Sequence, residues 1–240
     1  MRNNKLVFVI GSALLVVAYF STRSSDVIRF NVRIDVPTAN GVVSNSGTWE
    51  ATISRNPFSK PASFSAKLRG EGIVVALPQG GALVATLRAA GPENSIEADQ
   101  TLMLPEQFFR DRAEGLLSPE NQISRGAIIS EIASHAGWSA MTSYSSGLAA
   151  GKSLPYLVYF NDREAPATVE PATGNAALQI GDPMVTITIT DDDVTTGIED
   201  QLPWLRTLSK TQKLDGKKYD VLMRSGLANR LGAGSFSTEL

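Results

Sequence analysis

Ten residues, VIRFNVRIDV at 27–36, limit what this chain can fold into more than any other stretch. Ile28, Phe30, Val32, Ile34 and Val36 alternate with Arg29, Asn31, Arg33 and Asp35. A helix would scatter five such repeats around its circumference, whereas a strand puts all the apolar side chains on one face. A half-buried strand of this kind needs a partner. Pro37 and the turn residues TANG point to one directly downstream, a strand through Trp49, Ala51 and Ile53 folded back as a hairpin. SFSAKLRG, GIVVALP and ALVATLRAA predict three more short strands, the last two joined by a turn at 78–81. NPFSKPAS and GPENSIEADQ read as loops.

The pattern changes after residue 103. The spacing predicts helices over 104–117 and 118–137, the second opened by Ser118-Pro119, carrying an apolar stripe of Ile128, Ile129 and Ile132, and stopped at Gly137. PYLVYF (155–160) and PMVTITIT (183–190) return to strand. The expected class is α+β: a mostly antiparallel β-sheet domain of roughly seven strands with a helical insertion, behind an N-terminal transmembrane helix.

That transmembrane expectation rests on LVFVIGSALLVVAYF, Leu6 to Phe20, preceded by Arg2 and Lys5. As a helix the run spans about 22 Å against a hydrocarbon core of about 30 Å. Ser21, Thr22 and a snorkelling Arg23 extend it. Tyr19 and Phe20 carry the apolar run past a conceivable cleavage point at Ala18, which favours an anchor through residues 6–22 over a cleaved signal that would release the protein to the periplasm. The cations at the start keep the N-terminus in the cytoplasm and export the rest. The expected organisation is an anchor at 1–23, an exported β-rich domain at 24–205 with helices near 104–137, and a basic, partly mobile segment at 206–240.

Composition removes many chemistries. There is no cysteine and a single histidine, so thiolate metal sites, disulfides, cysteine nucleophiles and paired imidazoles are excluded within one chain. A net charge of −2 gives no basic field for nucleic acid. GLAAGKS (147–153) has three residues between its glycines where a phosphate loop needs four, and no apolar strand leads into it, so no nucleotide is expected and the stretch reads as a flexible connection. His135, with Glu131 four residues earlier, is a candidate general base, but no serine elbow accompanies it and a histidine at a helix end needs no catalytic reason. No catalytic residue and no cofactor are expected.

Asp191, Asp192 and Asp193 interrupt TITITDDDVTTGIEDQLPWL (186–205). Read as a calcium loop from Asp191, the glycine falls at the seventh position and Leu202 stands where a bidentate glutamate is required. Asp191 and Asp193 are weak metal candidates at most. The better account is a helix start, with Thr196 as cap and Glu199 reaching back in a capping box. Beyond it Ile198, Leu202, Leu205 and Leu208 recur at helical spacing beside Trp204, and Pro203 should split the segment into two short turns. Residues 179–200 hold six acids and no Lys or Arg, and residues 201–224 hold six Lys/Arg and two acids. A basic, Trp-bearing segment of this kind is a candidate contact with membrane or partner through Leu202, Trp204, Leu205, Arg206, Lys210 and Lys213. The simpler alternative is a helix that caps the sheet.

PYLVYFNDREAPATVEP followed by ITITDDDVTTGIEDQLPWL is similar to a family of uncharacterised, single-pass membrane-anchored proteins of Gram-negative bacteria. Thr190, Asp191, Val194 to Glu199 and Leu202 to Leu205 carry that family's TDxxVTTGIE…LPWL stretch, and Leu227, Ala228 and Asn229 with the Gly-Ser-Phe that follows carry its LANxLxxGxF stretch. The resemblance implies an inner-membrane location with a periplasmic domain, and no activity. The expected function is a non-catalytic binding or structural component of the envelope, held in the inner membrane and contacting another envelope protein. The alternative is a periplasmic hydrolase or cation-dependent enzyme using the Asp191–Glu199 region or His135.

Overall fold

A computed structural model describes residues 25–56, 63–91, 95–97, 100–122, 124–174, 178–209, 211–217 and 226–239. The expected membrane anchor, residues 6–22, lies outside the described residues. Among those described, no helix is long and apolar enough to cross a membrane.

The chain is α+β and its sheets are antiparallel. The first sheet is built on β1 (Ser25–Thr38) and β2 (Gly41–Asn56), a hairpin in register from Ser25↔Ser54 to Thr38↔Gly41. β3 (Ser63–Arg69) adds to the outer edge of β2, while β10 (Met184–Ile189) lies on the other side of β1 and pairs in turn with β7 (Ser139–Ser143), giving the order β3-β2-β1-β10-β7. The alternation in 27–36 does what its period requires: Ile28, Phe30, Val32, Ile34 and Val36 are all buried, and Phe30 meets Trp49 of β2 edge to face at 6.0 Å.

The second sheet has the order β4 (Ile73–Ala76), β5 (Ala82–Ala90), β8 (Pro155–Phe160), β9 (Val169–Pro171), with β6 (Ile96–Glu97) on the end of β5. PYLVYF is buried at every position, as a central strand covered on both faces should be. One apolar core draws on both sheets. The β4–β5 turn depends on Gly81, at φ +71°, where a Cβ would lie 2.4 Å from the Phe160 carbonyl oxygen. Gly81→Ala is therefore expected to cost about 1–3 kcal/mol, read from urea denaturation.

The helical insertion is shorter and more broken than the periodicity predicts. α1 (Leu104–Glu114), α2 (Pro119–Gln122) and α3 (Arg125–Ala133) replace two long helices. Ser118-Pro119 opens only α2, and Ser124 starts α3 by accepting from the Ala127 N–H. Glu106 of α1 ties α1 to α3 through Arg125 at 2.8 Å and accepts from Arg110 at 2.9 Å. Ile128, Ile129 and Ile132 are buried, and α3 packs on β1.

Two further differences bear on function. The C-terminal segment, expected as a partly mobile tail from 206, contributes to the core at several of its described residues. α5 (Leu227–Arg230) leads into Leu231, Ala233 and Phe236, all buried, and Ser237 bridges to Glu71. GLAAGKS is not a loose connection either: α4 (Tyr144–Ala149) occupies its first half. Gly147 is needed there because a Cβ would approach Leu154 Cδ1 to 2.7 Å and Thr142 Cγ2 to 3.0 Å. Lys152 donates to the Gln107 carbonyl at 3.0 Å and lies 4.2 Å over the Phe108 ring, so it is engaged with α1.

Candidate functional site

The aspartate run carries the chain off the first sheet. Thr190 N–H bonds to the Arg29 carbonyl, and Thr195 bonds to Thr48 by main chain and by hydroxyl, at 3.1 and 2.9 Å. Residues 190–195 thus cross from beside β1 to β2. Arg29 is the post they pass, donating to the Asp191 carbonyl at 3.3 Å, standing 3.8 Å from Asp193 and pairing with Glu50 at 2.9 Å. The Asp191, Asp192 and Asp193 side chains all stand in solvent, and no acid or histidine cluster able to hold a metal occurs among the described residues. Asn substitutions at Asp191 and Asp193 are expected to leave stability within about 0.5 kcal/mol, with no shift of the melting temperature by calcium in either form, checked by thermal unfolding.

The expected Thr196–Glu199 capping box is corrected. Residues 198–200 form one 3₁₀ turn whose capping position is Gly197, at φ +100°, with no side-chain cap from its own segment. The Ile198 N–H is satisfied from elsewhere, by the buried carboxylate of Glu71 at 2.8 Å. A second 3₁₀ turn, Pro203–Arg206, follows, so Pro203 splits the segment as its chemistry requires.

The expected contact surface is also corrected. Leu202, Trp204 and Leu205 are buried in the protein's own core. Trp204 donates through Nε1 to the Arg163 carbonyl at 2.9 Å and packs against Phe160 at 5.7 Å and Phe236 at 5.4 Å. Two short turns bring these side chains onto the second sheet, where apolar area is removed from water without a partner. Arg206 is exposed and pairs with Asp200. Lys213 is half-buried and its backbone bridges to Gly232, while Lys210 lies outside the described residues.

His135 closes the end of α3. Its Nε2 meets Glu131 Oε1 at 2.9 Å, and its ring lies 4.2 Å from Trp138, which also carries the Arg112 guanidinium at 4.1 Å. The neighbouring hydroxyls point away: Ser130 donates to Asp26 and Ser134 to the Glu131 carbonyl. A nucleophile–base pair is not assembled here.

The chemistry-bearing geometry lies where no motif marked it. A cavity of about 430 Å³ opens between α4, the middle of β8 and the segment leading into β10. Tyr144, Leu148, Leu157, Ala172, Ile180 and Pro183 give it apolar walls, and Ser145 and Asp182 stand at its rim. The size and the mix of apolar wall with few polar groups are those of small-ligand sites. Its rim is built from the start of α4. Tyr144 N–H bonds to the Pro183 carbonyl at 2.7 Å, Ser145 N–H to Asp182 Oδ1 at 3.1 Å, and Ser146 N–H to Ser143 Oγ at 3.3 Å. The Ser145 hydroxyl also donates to Asp182. The Tyr144 hydroxyl donates away from the rim, to the Pro155 carbonyl at 2.9 Å, and burial pushes its pKa up, so it stays neutral.

Two irregularities lie in or beside this wall. Gln179 is the one non-glycine with a left-handed backbone among the described residues, at φ +47°. It is held there because the chain is pinned on either side. Gln79 donates to the Leu178 carbonyl at 2.9 Å and Gly181 N–H to the Pro37 carbonyl at 2.8 Å. Thr173, which lines the cavity, has the one fully buried side-chain polar atom with no hydrogen-bond partner among the described residues. Backbone strain and orphaned polar groups cost free energy, and they gather where a fold shapes a site.

No family model matches the chain, and no curated protein or solved structure matches it.

Proposed function

We propose that this chain is a binding component of the Gram-negative envelope, anchored in the inner membrane through residues 6–22 with its folded domain in the periplasm. Its ligand or partner group enters the cavity between α4 and residues 172–174 and 180–183, and the domain performs no chemistry of its own. One observation carries the binding reading: a cavity of about 430 Å³ with apolar walls, lined by Thr173, whose hydroxyl is the one orphaned buried side-chain polar atom among the described residues, and by Ile180, next to the left-handed Gln179. At the rim, Ser145 faces only a carboxylate, a weak base for activating a hydroxyl. That arrangement suits recognition better than acyl transfer. The N-terminal apolar run and its preceding cations support the location.

Native mass spectrometry of the full chain, taken from membranes without denaturation, tests the cavity. A small non-covalent adduct on the wild type that is lost in Ala172→Leu supports the reading. No adduct, or the same adduct on both proteins, overturns it. Retention in the membrane pellet after alkaline extraction is expected for the anchored form, and release at alkaline pH would overturn the anchor.

A further inference from the structure

Resting on that reading of the cavity, we infer that its ligand is a small amphipathic cation: an apolar body seated between Leu148, Leu157 and Ile180, with an amine head at Asp182. The charge at the rim is one-sided. Asp182 is the only ionisable side chain other than Tyr144 among the lining residues, and no Lys or Arg accompanies it. An anionic head would meet that carboxylate with no cation among the lining residues to offset it, and like charges a few ångströms apart repel.

Three backbone donors at the rim that could otherwise receive an anion are already taken. The first three amides of α4 are bound by the Pro183 carbonyl, Asp182 and Ser143. Asp182 is in turn positioned by two donors from Ser145, which fix the carboxylate at the rim and leave it the capacity to accept more. A head group donating to Asp182 therefore finds an oriented acceptor, while a head that only accepts finds no free donor among the first three amides of α4 and is left the uncharged Thr173 hydroxyl. The apolar walls carry the remaining requirement, since only a ligand with an apolar body removes them from water.

Three probes with one body and different heads separate the possibilities: 3-phenylpropylammonium, 3-phenylpropanol and 3-phenylpropanoate. They are titrated by calorimetry into the full chain reconstituted in nanodiscs, with empty nanodiscs subtracted. The ammonium is expected to bind about tenfold more tightly than the alcohol, and the carboxylate more weakly than both. Asp182→Asn, whose amide oxygen can keep the Ser145 N–H, is expected to remove the ammonium's advantage, so that ammonium and alcohol bind about equally. Binding of all three alike, blocked by Ala172→Leu, would keep the cavity reading and overturn the cationic ligand. Tighter binding of the carboxylate would overturn it too. No binding by any probe would overturn the inference together with the cavity reading beneath it. Matching urea midpoints for wild type and Asp182→Asn guard against a folding defect.

Discussion

Phe236→Ala is expected to cost about 3–5 kcal/mol of stability, the loss typical of deleting a fully buried aromatic ring. Phe236 is wholly buried, 5.9 Å from Phe160 and 5.4 Å from Trp204, and so joins the C-terminal segment to the centre of the second sheet. Its main chain contributes as well, since the Phe236 carbonyl accepts from the Gly72 N–H at 2.7 Å. The substitution leaves that bond in place and empties the ring's volume. Equilibrium urea denaturation of the wild type and variant, compared by midpoint, measures the loss. A change below about 1 kcal/mol, the size of an ordinary surface substitution, would place residues 226–239 outside the core.

The second large effect is at Glu71. Its carboxylate is buried, accepts from the Ile198 N–H at 2.8 Å and from Ser237 at 3.3 Å, and so fastens three chain segments together. Its backbone carbonyl takes the Trp49 indole at 2.7 Å. Glu71→Ala leaves the Ile198 N–H without its partner, and a loss of about 1–3 kcal/mol is expected. Burial pushes the Glu71 carboxyl above the ordinary range, helped by the nearby Glu199 and Glu239 carboxylates and opposed by its two hydrogen bonds. Glu239 is itself paired with Arg69 at 2.9 Å. The folded state thus holds the Glu71 proton more tightly than the unfolded chain does. This group's contribution is greatest at low pH, declines as pH rises from the unfolded value of about 4.3 through the raised folded value, and is level above it. Glu71→Gln should remove that decline, so that the difference in urea midpoint between the two proteins changes with pH in that window and not above it.

How much of this was legible in the sequence depended on whether a signal was local. β1, β2, β8 and β10 announce themselves because apolar alternation, or an unbroken apolar run, is written into consecutive residues. β7 does not: SAMTS is short and half-exposed on the sheet's edge, and only pairing with β10 makes it a strand. The apolar residues in Leu-Pro-Trp-Leu were visible, but hydrophobicity does not say whose surface will cover it. Phe160 and Phe236, distant in sequence, supply that cover. The capping pattern Thr-Gly-Ile-Glu was likewise genuine as a pattern and lost to a long-range competitor, Glu71. The cavity was the least legible feature. It forms by closing α4 against residues 172–174 and 180–183, and the neighbouring left-handed Gln179 is flanked by bonds from Gln79 to Leu178 and from Gly181 to Pro37. None of these pairings has a sequence signature.

The strand order has a consequence for the sequence of events in folding. β1 acquires β2 at once, through a hairpin that needs only a tight turn, whereas its opposite edge is filled by β10, so that Phe30 waits for Ile189. Until most of the chain has been made, a long strand carrying five apolar side chains shows an open row of amides and carbonyls, the kind of edge that recruits other chains. Non-local pairing of this kind closes more slowly than a hairpin, so the hairpin made first is the part most in need of protection in the interval.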